Sequence, residues 1–355
     1  MMKYRKMGRT GLMVSELGIG CMYFGSNISE KEATDIINKA YEAGINYFDT
    51  ANAYPPGVPE RGASEKILGK AVKSFRDKVL ISTKVRVPIS ASAGPNDQGL
   101  SRKHIFNAVD ESLKRLQTDY IDMYTAHSPD PKTPFDETLR AFDDLVRFGK
   151  VRYIGCSNFP TWHMCKALWI SDKHKLARFD FVQARYNLIT REVEREMLPF
   201  CTNEGLGVMA YNPMAGGLLA GGLFKKDKKS VDSYSKGSTP PEGSRFTDPM
   251  YRERYWHDRN LVAVEKLQNI ADRLGYTAPQ VALAWLLANK AVTSLLTAPD
   301  FVDQLYQNLA VIDITLSDKD FEELDAIYEA MLPKNWITQM GLDSRGYSDL
   351  LEFAF

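Results

Sequence analysis

The sequence lacks an excess of charge of either sign. Its 355 residues include 45 Lys and Arg and 45 Asp and Glu, so the formal net charge is zero. Proteins that bind nucleic acids or anionic membranes generally carry a basic patch or a basic stretch of chain. We therefore expect neither a nucleic acid nor a membrane as a partner.

Paired cysteines and long apolar stretches are also missing. The four cysteines, Cys21, Cys156, Cys165 and Cys201, form no CxxC pair, and free thiols are typical of a reducing cytosol. His163 and Cys165 are close in sequence, but two ligands without two more do not make a metal site. No apolar run reaches eighteen residues, and the N-terminal stretch lacks the apolar segment of a signal peptide. We expect a cytoplasmic protein that holds no metal.

Short apolar runs alternate with amphipathic helical stretches along most of the chain. The predicted strands are 15–22, 45–51, 79–85, 120–127, 151–158, 181–187, 207–213 and 292–298. The clearest predicted helices are 29–44, 64–75, 102–116, 135–149, 300–310 and 318–331. Strands that alternate with helices pair in parallel through right-handed crossovers.

Eight strand–helix units indicate an α/β protein with a single (β/α)8 TIM barrel. An open, doubly wound sheet is the alternative, but it more often stops at five or six strands, and no GxGxxG motif follows the first strand. We predict one barrel domain over residues 1–355. The polar segment 222–258 predicts a long loop on the C-terminal face of the barrel, with a solvated lysine-rich run at 225–229. The aromatic tail 333–355 predicts a cover for the barrel mouth or a contact with a neighbouring subunit.

Functional side chains of such barrels gather where the strands end. Asp49 and Tyr54 follow the second predicted strand, Lys84 ends the third and His127 ends the fourth. Each residue alone has an ordinary structural explanation, as a turn residue, a solvated cation or a satisfied histidine. Four such residues at equivalent heights on neighbouring strands indicate a catalytic site.

The chemistry of these four side chains is proton transfer. A free tyrosine has a pKa near 10, and an ammonium within about 4–6 Å favours the phenolate form. Lys84 can supply that charge, Asp49 can hold Lys84 protonated and oriented, and His127 can position a substrate oxygen near Tyr54. The set predicts a general acid/base site that protonates a carbonyl or deprotonates an alcohol.

Several motifs occur in an order that resembles the aldo-keto reductase family. They include "FDTANAY", "ASEKILGKAV", "LISTKV", "SLKRLQTDYIDMYTAH", "GKVRYIGCSNF" and "GLGVMAYNPMAGGLLAG", and the similarity covers nearly the whole chain. The resemblance implies a nicotinamide cofactor, NAD(H) or NADP(H), and hydride transfer to or from a carbonyl carbon. It also implies that Asp49, Tyr54, Lys84 and His127 are the catalytic residues, with Tyr54 as the proton donor.

The resemblance also implies a set of cofactor contacts. Ser157, Asn158 and Gln183 match residues that hold the nicotinamide amide, and Tyr211 matches the aromatic residue that stacks on the nicotinamide ring. The segment 212–218 resembles the loop that receives the diphosphate, where glycines permit close approach. The residues expected to contact the cofactor in that loop and near the adenine are Asn212, Met214, Gly216, Leu218, Gln304 and Asn308.

The matching stretch after the last strand departs from the family pattern. The family often reads "IxGARxxxQLxxN", with an Arg on the 2′-phosphate of NADPH, whereas this chain reads "LLTAPDFVDQLYQN" and places Asp300 at that position. A carboxylate repels a phosphate but can accept a hydrogen bond from a ribose hydroxyl. We therefore expect a preference for NAD(H); the alternative is that Asp300 points to solvent and a nearby basic residue takes the phosphate.

Substrate contacts are expected from Tyr23, Arg61 and Arg86. The two arginines are consistent with an anionic or hydroxyl-rich substrate, although solvation explains them equally well. The stretch "PPEGSRFTDPMYRERYW" is locally similar to the branch with aflatoxin-aldehyde and succinic-semialdehyde reductases. Three alternatives stay open: an NADP(H)-dependent aldehyde reductase, a weakly catalytic cofactor-sensing binding subunit, and a barrel hydrolase or lyase without nicotinamide. The resemblance allows a monomer or a homodimer.

Overall fold

The computed structural model describes residues 1–58, 61–90, 92–221 and 239–332. The chain begins with two short antiparallel strands, β1 (Tyr4–Lys6) and β2 (Met13–Ser15), which the apolar pattern does not predict. Eight further strands close into a parallel barrel, which confirms the predicted fold. These strands are β3 (Leu17–Gly20), β4 (Tyr47–Asp49), β5 (Leu80–Val85), β6 (Ile121–Ala126), β7 (Val151–Ser157), β8 (Phe179–Arg185), β9 (Gly207–Tyr211) and β10 (Ser294–Thr297).

Helices follow the barrel strands, and the six helices predicted with bounds lie within a few residues of those bounds. They are α1 (Glu30–Glu42), α2 (Ala63–Val72), α3 (Arg102–Leu116), α4 (Phe135–Arg147), α5 (Thr161–His174), α6 (Met197–Glu204), α7 (Pro249–Tyr255), α8 (Asp258–Leu274), α9 (Ala278–Ala288), α10 (Val302–Leu309) and α11 (Asp318–Glu329). Ser29 and Glu32 form a capping box at the start of α1. None of the helices in these ranges is long and apolar enough to cross a membrane.

Much of the C-terminal end of the predicted loop 222–258 is helical, so the loop prediction is wrong for that end. Arg245–Thr247 forms a 3-10 turn, and α7 follows it. The carboxylate of Asp248 accepts the N–H of Met250 over 2.8 Å, and Pro249 occupies the first turn, where a missing N–H costs nothing. The lysine-rich run 225–229 and the tail 333–355 lie outside the described residues.

The chain divides into two compact units. The first contains Met1–Ala184, Phe200–Met209 and Ala291–Tyr306, and the second contains the described residues of Arg185–Pro199, Ala210–Lys290 and Gln307–Phe355. The single domain predicted from the sequence stays a prediction.

Each unit has its own ion pairs between elements, buried in the first unit and partly exposed in the second. In the first unit, the fully buried carboxylate of Glu65 on α2 pairs with Arg115 on α3 over 2.6 Å and accepts the hydroxyl of Thr83 on β5 over 2.5 Å. In the second unit, Arg191 pairs with Asp325 on α11 over 2.6 Å. These contacts tie helices to the strands or loops behind them within the same unit.

Candidate active site

Asp49 and Lys84 form a buried ion pair on neighbouring strands. Asp49 is the last residue of β4, and Lys84 lies near the end of β5, which pairs with β4 in parallel. The Lys84 ammonium donates to Oδ2 of Asp49 and, over 2.7 Å, to the carbonyl oxygen of Thr50. Burial lowers the pKa of Lys84, and the Asp49 carboxylate opposes that effect. The ammonium is therefore held by two oxygen acceptors inside the barrel.

The turn after β4 brings Tyr54 beside this pair. Thr50 and Asn52 donate their backbone N–H groups to carbonyl oxygens of β5 over 2.8 and 3.3 Å, so the chain follows β5. The carbonyl oxygen of Tyr54 accepts the N–H of Gly62 over 2.7 Å, which fixes the start of α2 to the same turn. Lys84 Nζ lies 5.2 Å from the centre of the Tyr54 ring. This distance puts the positive charge where it favours the phenolate over the phenol.

His127 lies directly after β6, and its ring faces Tyr54. Nε2 of His127 is 3.5 Å from the Tyr54 hydroxyl, and the ring centroids are 5.7 Å apart at 81°. Nδ1 is buried and has no hydrogen-bond partner in the described part of the chain. Burial, followed by the charges of Lys84 and Arg86, lowers the pKa of His127 to about 3. The imidazole is therefore neutral at physiological pH.

The position of the single imidazole proton follows from this environment. A proton on Nδ1 would leave a buried N–H without an acceptor, which is costly. A proton on Nε2 faces the Tyr54 hydroxyl and the space beside it. We therefore assign the proton to Nε2, where the imidazole can donate a hydrogen bond to a substrate oxygen.

The structure thus brings the four predicted catalytic side chains together in the first unit. A phenol, a neutral imidazole and a buried ammonium–carboxylate pair share one end of the barrel. The phenol can exchange a proton with a bound oxygen, the imidazole can orient that oxygen, and the ammonium can stabilise the phenolate that remains. The roles of the individual residues stay predictions.

Three predicted cofactor residues lie at the ends of β7 and β8. The Ser157 hydroxyl donates to the carbonyl oxygen of Gln183 over 2.9 Å. Asn158 has a φ of +59°, and its amide donates to the carbonyl oxygen of His127 over 2.9 Å. Gln183 donates from Nε2 to Oδ1 of Asp49 over 2.8 Å. A positive φ at a non-glycine residue costs free energy, and such strain concentrates at binding sites.

The other predicted cofactor loop belongs to the second unit. Tyr211 ends β9 and is half-buried, and Asn212, immediately after it, has a φ of +58°. The Asn212 side chain accepts the N–H of Gly216 over 2.7 Å and donates to the Tyr255 hydroxyl over 2.7 Å. Gly216 and Gly217 have φ values of +71° and +96°. Met214 is half-buried and Leu218 is buried, so Leu218 can contribute its backbone rather than its side chain.

Asp300 is exposed just before α10. Its backbone N–H donates to Oε1 of Gln304 over 2.8 Å, so Gln304 helps to fix the start of that helix. Asn308 lies near the end of α10 and is half-buried. The predicted contact of Asp300 with a ribose stays a prediction.

The predicted substrate residues are all half-buried. Arg61 donates from Nη1 to the carbonyl oxygen of Pro88 over 2.8 Å, and Arg86 donates from Nε to the carbonyl oxygen of Pro129 over 3.1 Å. Arg86 has a φ of +134°, a strained value for an arginine, and lies two residues beyond Lys84. Tyr23 lies in the turn after β3. The charge of Arg86 acts on His127, whereas the contact of Tyr23 with a substrate stays a prediction.

Sequence reasoning misses two features of these regions. Asn52 is buried within the "FDTANAY" motif and donates to the carbonyl oxygen of Val87 over 3.2 Å, whereas its Oδ1 has no partner in the described part of the chain. Tyr255, which holds Asn212, comes from a segment predicted as a loop. Asn52 lies in a motif that the sequence already singles out, whereas the contact of Tyr255 with Asn212 joins residues 43 positions apart and has no local signal in the sequence.

No group of three or more potential metal ligands occurs within residues 1–58, 61–90, 92–221 and 239–332.

Comparisons of the sequence with known proteins identify the family of the chain. The profile described as "Aldo/keto reductase family" matches residues 16–329. The uncharacterised oxidoreductase YrpG of Bacillus subtilis is 39% identical over 332 residues, which are 92% of this chain and 96% of the relative. A probable voltage-gated potassium channel subunit beta of Arabidopsis thaliana is 36% identical over 88% of this chain and 92% of its own. The versiconal hemiacetal acetate reductase of Aspergillus parasiticus is 31% identical over 92% of this chain and 97% of its own. The chain belongs to the aldo/keto reductase family.

Proposed function

We propose that this protein interconverts a small-molecule carbonyl compound, an aldehyde, ketone or sugar, and the corresponding alcohol in a nicotinamide-dependent reaction. The observation that carries the proposal is the position of Tyr54, whose hydroxyl lies 3.5 Å from a neutral imidazole and whose ring lies 5.2 Å from a buried ammonium. A phenol in this setting can act as general acid in one direction and as general base in the other.

The described residues fit a nicotinamide cofactor. In the first unit, Ser157, Asn158 and Gln183 offer hydroxyl and amide groups suited to the nicotinamide amide. In the second unit, the turn that contains Gly216 and Gly217 combines positive φ values with open space beside Gly217, where a Cβ would meet nothing within 4 Å. Backbone of this kind lets a diphosphate approach closely. When bound, the nicotinamide supplies or accepts the hydride.

The side chains of the chain itself perform the proton transfer. Nε2 of His127 donates a hydrogen bond to the substrate oxygen and aligns it with the Tyr54 hydroxyl. Tyr54 protonates that oxygen during reduction and removes the proton during oxidation. The Lys84 ammonium stabilises the resulting phenolate, and Asp49 keeps the ammonium in place.

Turnover of an aldehyde by matched variants tests this proposal. Reduction of 4-nitrobenzaldehyde is followed with NADH and NADPH for wild type, Tyr54→Phe and the control Tyr276→Phe, whose phenol is exposed. General acid/base groups typically contribute about 10²–10⁴-fold to a rate, so Tyr54→Phe should lose about that much in kcat. Cofactor binding, measured by fluorescence, should stay within about twofold, because the lost hydroxyl serves the substrate. Full turnover by Tyr54→Phe would overturn the role of Tyr54.

The exposed carboxylate at Asp300 supports a preference for NAD(H). A carboxylate repels the 2′-phosphate of NADP(H) and can accept a hydrogen bond from the ribose hydroxyl of NAD(H). Fluorescence titration of wild type should give tighter binding of NADH, and Asp300→Arg should reverse the order. Asp303→Arg is the matched control, since Asp303 is exposed on the first turn of α10. Tighter NADPH binding by the wild type, by tenfold or more, would contradict the assignment and favour an NADP(H)-dependent aldehyde reductase.

A second candidate is a cofactor-sensing binding subunit with little turnover. It is favoured by the relatives named as probable potassium channel beta subunits, which are 36% and 34% identical to this chain. Such a subunit would bind the nicotinamide but exchange hydride with generic aldehydes very slowly. Fast reduction of 4-nitrobenzaldehyde that depends on Tyr54 would exclude this candidate, and its absence together with tight cofactor binding would support it.

The arginines near the site support an anionic or hydroxyl-rich substrate. Arg61 and Arg86 each donate one hydrogen bond to a backbone carbonyl and are half-buried, and Arg86 is close enough to act on His127. An arginine that binds a substrate carboxylate should raise KM when it is replaced, with little change in kcat. We expect Arg86→Met to raise KM for succinic semialdehyde more than for 4-nitrobenzaldehyde. Equal changes for both aldehydes would contradict a role in binding the anion.

A further inference from the structure

The carboxylate of Asp49 is held by a second donor besides Lys84. Gln183 lies on β8, with 4% of its surface exposed, and its Nε2 donates to Oδ1 of Asp49 over 2.8 Å. Lys84 occupies the other oxygen, Oδ2. Each carboxylate oxygen therefore has its own donor, and the two donors come from different strands.

Two donors fix the orientation of the carboxylate more tightly than one. With Lys84 alone, the Asp49 carboxylate could rotate about its terminal bond and carry the ammonium with it. The Gln183 amide prevents that rotation, because turning the carboxylate would leave a buried N–H and a buried carboxylate oxygen unpaired. The carbonyl oxygen of Thr50 then completes the fixed position of the ammonium.

Gln183 is itself fixed in the barrel. Residue 183 pairs with Ser157 in the register of β7 and β8, and the Ser157 hydroxyl donates to the backbone carbonyl oxygen of Gln183 over 2.9 Å. A long side chain on a paired, buried strand position loses little further freedom when it binds Asp49. Gln183 can thus act as a rigid support.

We propose that Gln183 is a positioning residue that sets the Asp49–Lys84 pair, and through it the charge beside Tyr54. This inference rests on the proposed role of Tyr54 as general acid/base. It assigns one of the two amide hydrogens of Gln183 to the catalytic carboxylate, in addition to any contact with a nicotinamide amide. Loss of that hydrogen should change proton transfer as well as cofactor binding.

Gln183→Glu separates the two roles because glutamate keeps the shape of glutamine. Deprotonated, it places a second carboxylate against Asp49; protonated, it can donate as the amide does. Burial and the neighbouring charge of Asp49 raise the pKa of the introduced glutamate. Its protonated form therefore becomes populated as the pH falls. We expect kcat of Gln183→Glu to be at least about tenfold below wild type at pH 8 and within about threefold at pH 5.5. If residue 183 only accepted a hydrogen bond from a nicotinamide amide, a glutamate there would serve as well as the glutamine at every pH.

The control is Gln307→Glu, an exposed glutamine converted in the same way. Its ratio of kcat to wild type should stay constant from pH 5.5 to pH 8. Gln183→Leu, which cannot donate at any pH, should show a loss of kcat without rescue at low pH. A constant ratio for Gln183→Glu, or equal losses for the Glu and Leu variants at both pH values, would overturn the inference.

A measurement without cofactor keeps this test separate from the proposed function. The urea midpoint of Gln183→Glu should lie further below that of wild type at pH 8 than at pH 5.5, because the buried carboxylates repel each other only when both are charged. A pH-independent difference in midpoint would contradict the contact between residues 183 and 49. If this difference appears but wild type reduces no aldehyde, the contact stands, whereas the proposed function and the positioning role that depends on it both fail.

Discussion

Lowering the pH should destabilise the folded protein through His127. The pKa of His127 is lowered to about 3 in the folded chain, because its ring is desolvated and faces the charges of Lys84 and Arg86. An unfolded histidine has a pKa of about 6.5. Between these two values the unfolded chain binds a proton that the folded chain does not. The contribution is therefore fully present above about pH 6.5, and it is lost progressively as the pH falls towards 3.

The size of the effect at pH 5 follows from the same values. That pH lies about 1.5 units below the pKa of the unfolded imidazole, and each unit corresponds to about 1.4 kcal/mol. The expected loss is about 2 kcal/mol, or about 1 kcal/mol after allowing for the intermediate exposure of residue His127. Other titrating groups also act at pH 5, so a variant without the imidazole is needed for comparison.

Urea denaturation of wild type and His127→Asn at pH 8 and pH 5 measures this contribution. Wild type should lose about 1–2 kcal/mol more of its free energy of unfolding than His127→Asn on going to pH 5. His174→Asn removes an exposed histidine and should lose as much as wild type. An equal loss by wild type and His127→Asn would refute the neutral, desolvated imidazole on which the substrate-orienting role depends.

Three further changes should alter stability, each measured by urea denaturation. Lys84→Met leaves the buried Asp49 carboxylate without its counter-ion and should cost about 3–5 kcal/mol, whereas Lys70→Met removes an exposed pair and should cost little. Arg115→Met removes the counter-ion of the fully buried Glu65 and should likewise cost about 3–5 kcal/mol. Gly69→Ala puts a Cβ 2.2 Å from the carbonyl oxygen of Leu116 and should cost about 1–3 kcal/mol. The Cβ of the control Gly11→Ala meets nothing within 4 Å, so this variant should keep the stability of wild type. Costs below about 1 kcal/mol for any of the three would contradict the packing described here.

Much of the barrel can be predicted because its sequence pattern is local. The run 79–85 is buried at every position except the half-buried Leu80, and helices such as α3 keep their apolar spacing from end to end. The hairpin β1–β2 is missed because its strands have three residues each, too few to show a period. Helix α7 is missed because its polar and aromatic residues lack an apolar stripe, although Asp248 and Pro249 mark its start.

The candidate site could be predicted in part for a similar reason. Asp49, Tyr54, Lys84 and His127 lie at the ends of consecutive strands, so the barrel topology alone brings them together. The contact of Gln183 with Asp49 joins residues 134 positions apart in the sequence, and only the closed barrel reveals it. The neutral state of His127 likewise depends on burial and on charges from other strands.

The most direct test of the central claim follows a hydride into the product. Wild type is mixed with 4-nitrobenzaldehyde and reduced nicotinamide that carries deuterium at C4 on the transferred face, and the alcohol is analysed by mass spectrometry. We expect one deuterium on the carbinol carbon of each alcohol molecule, with a rate of formation at least about 10²-fold lower for Tyr54→Phe. An alcohol without deuterium, or the same rate for both proteins, would contradict hydride transfer assisted by Tyr54.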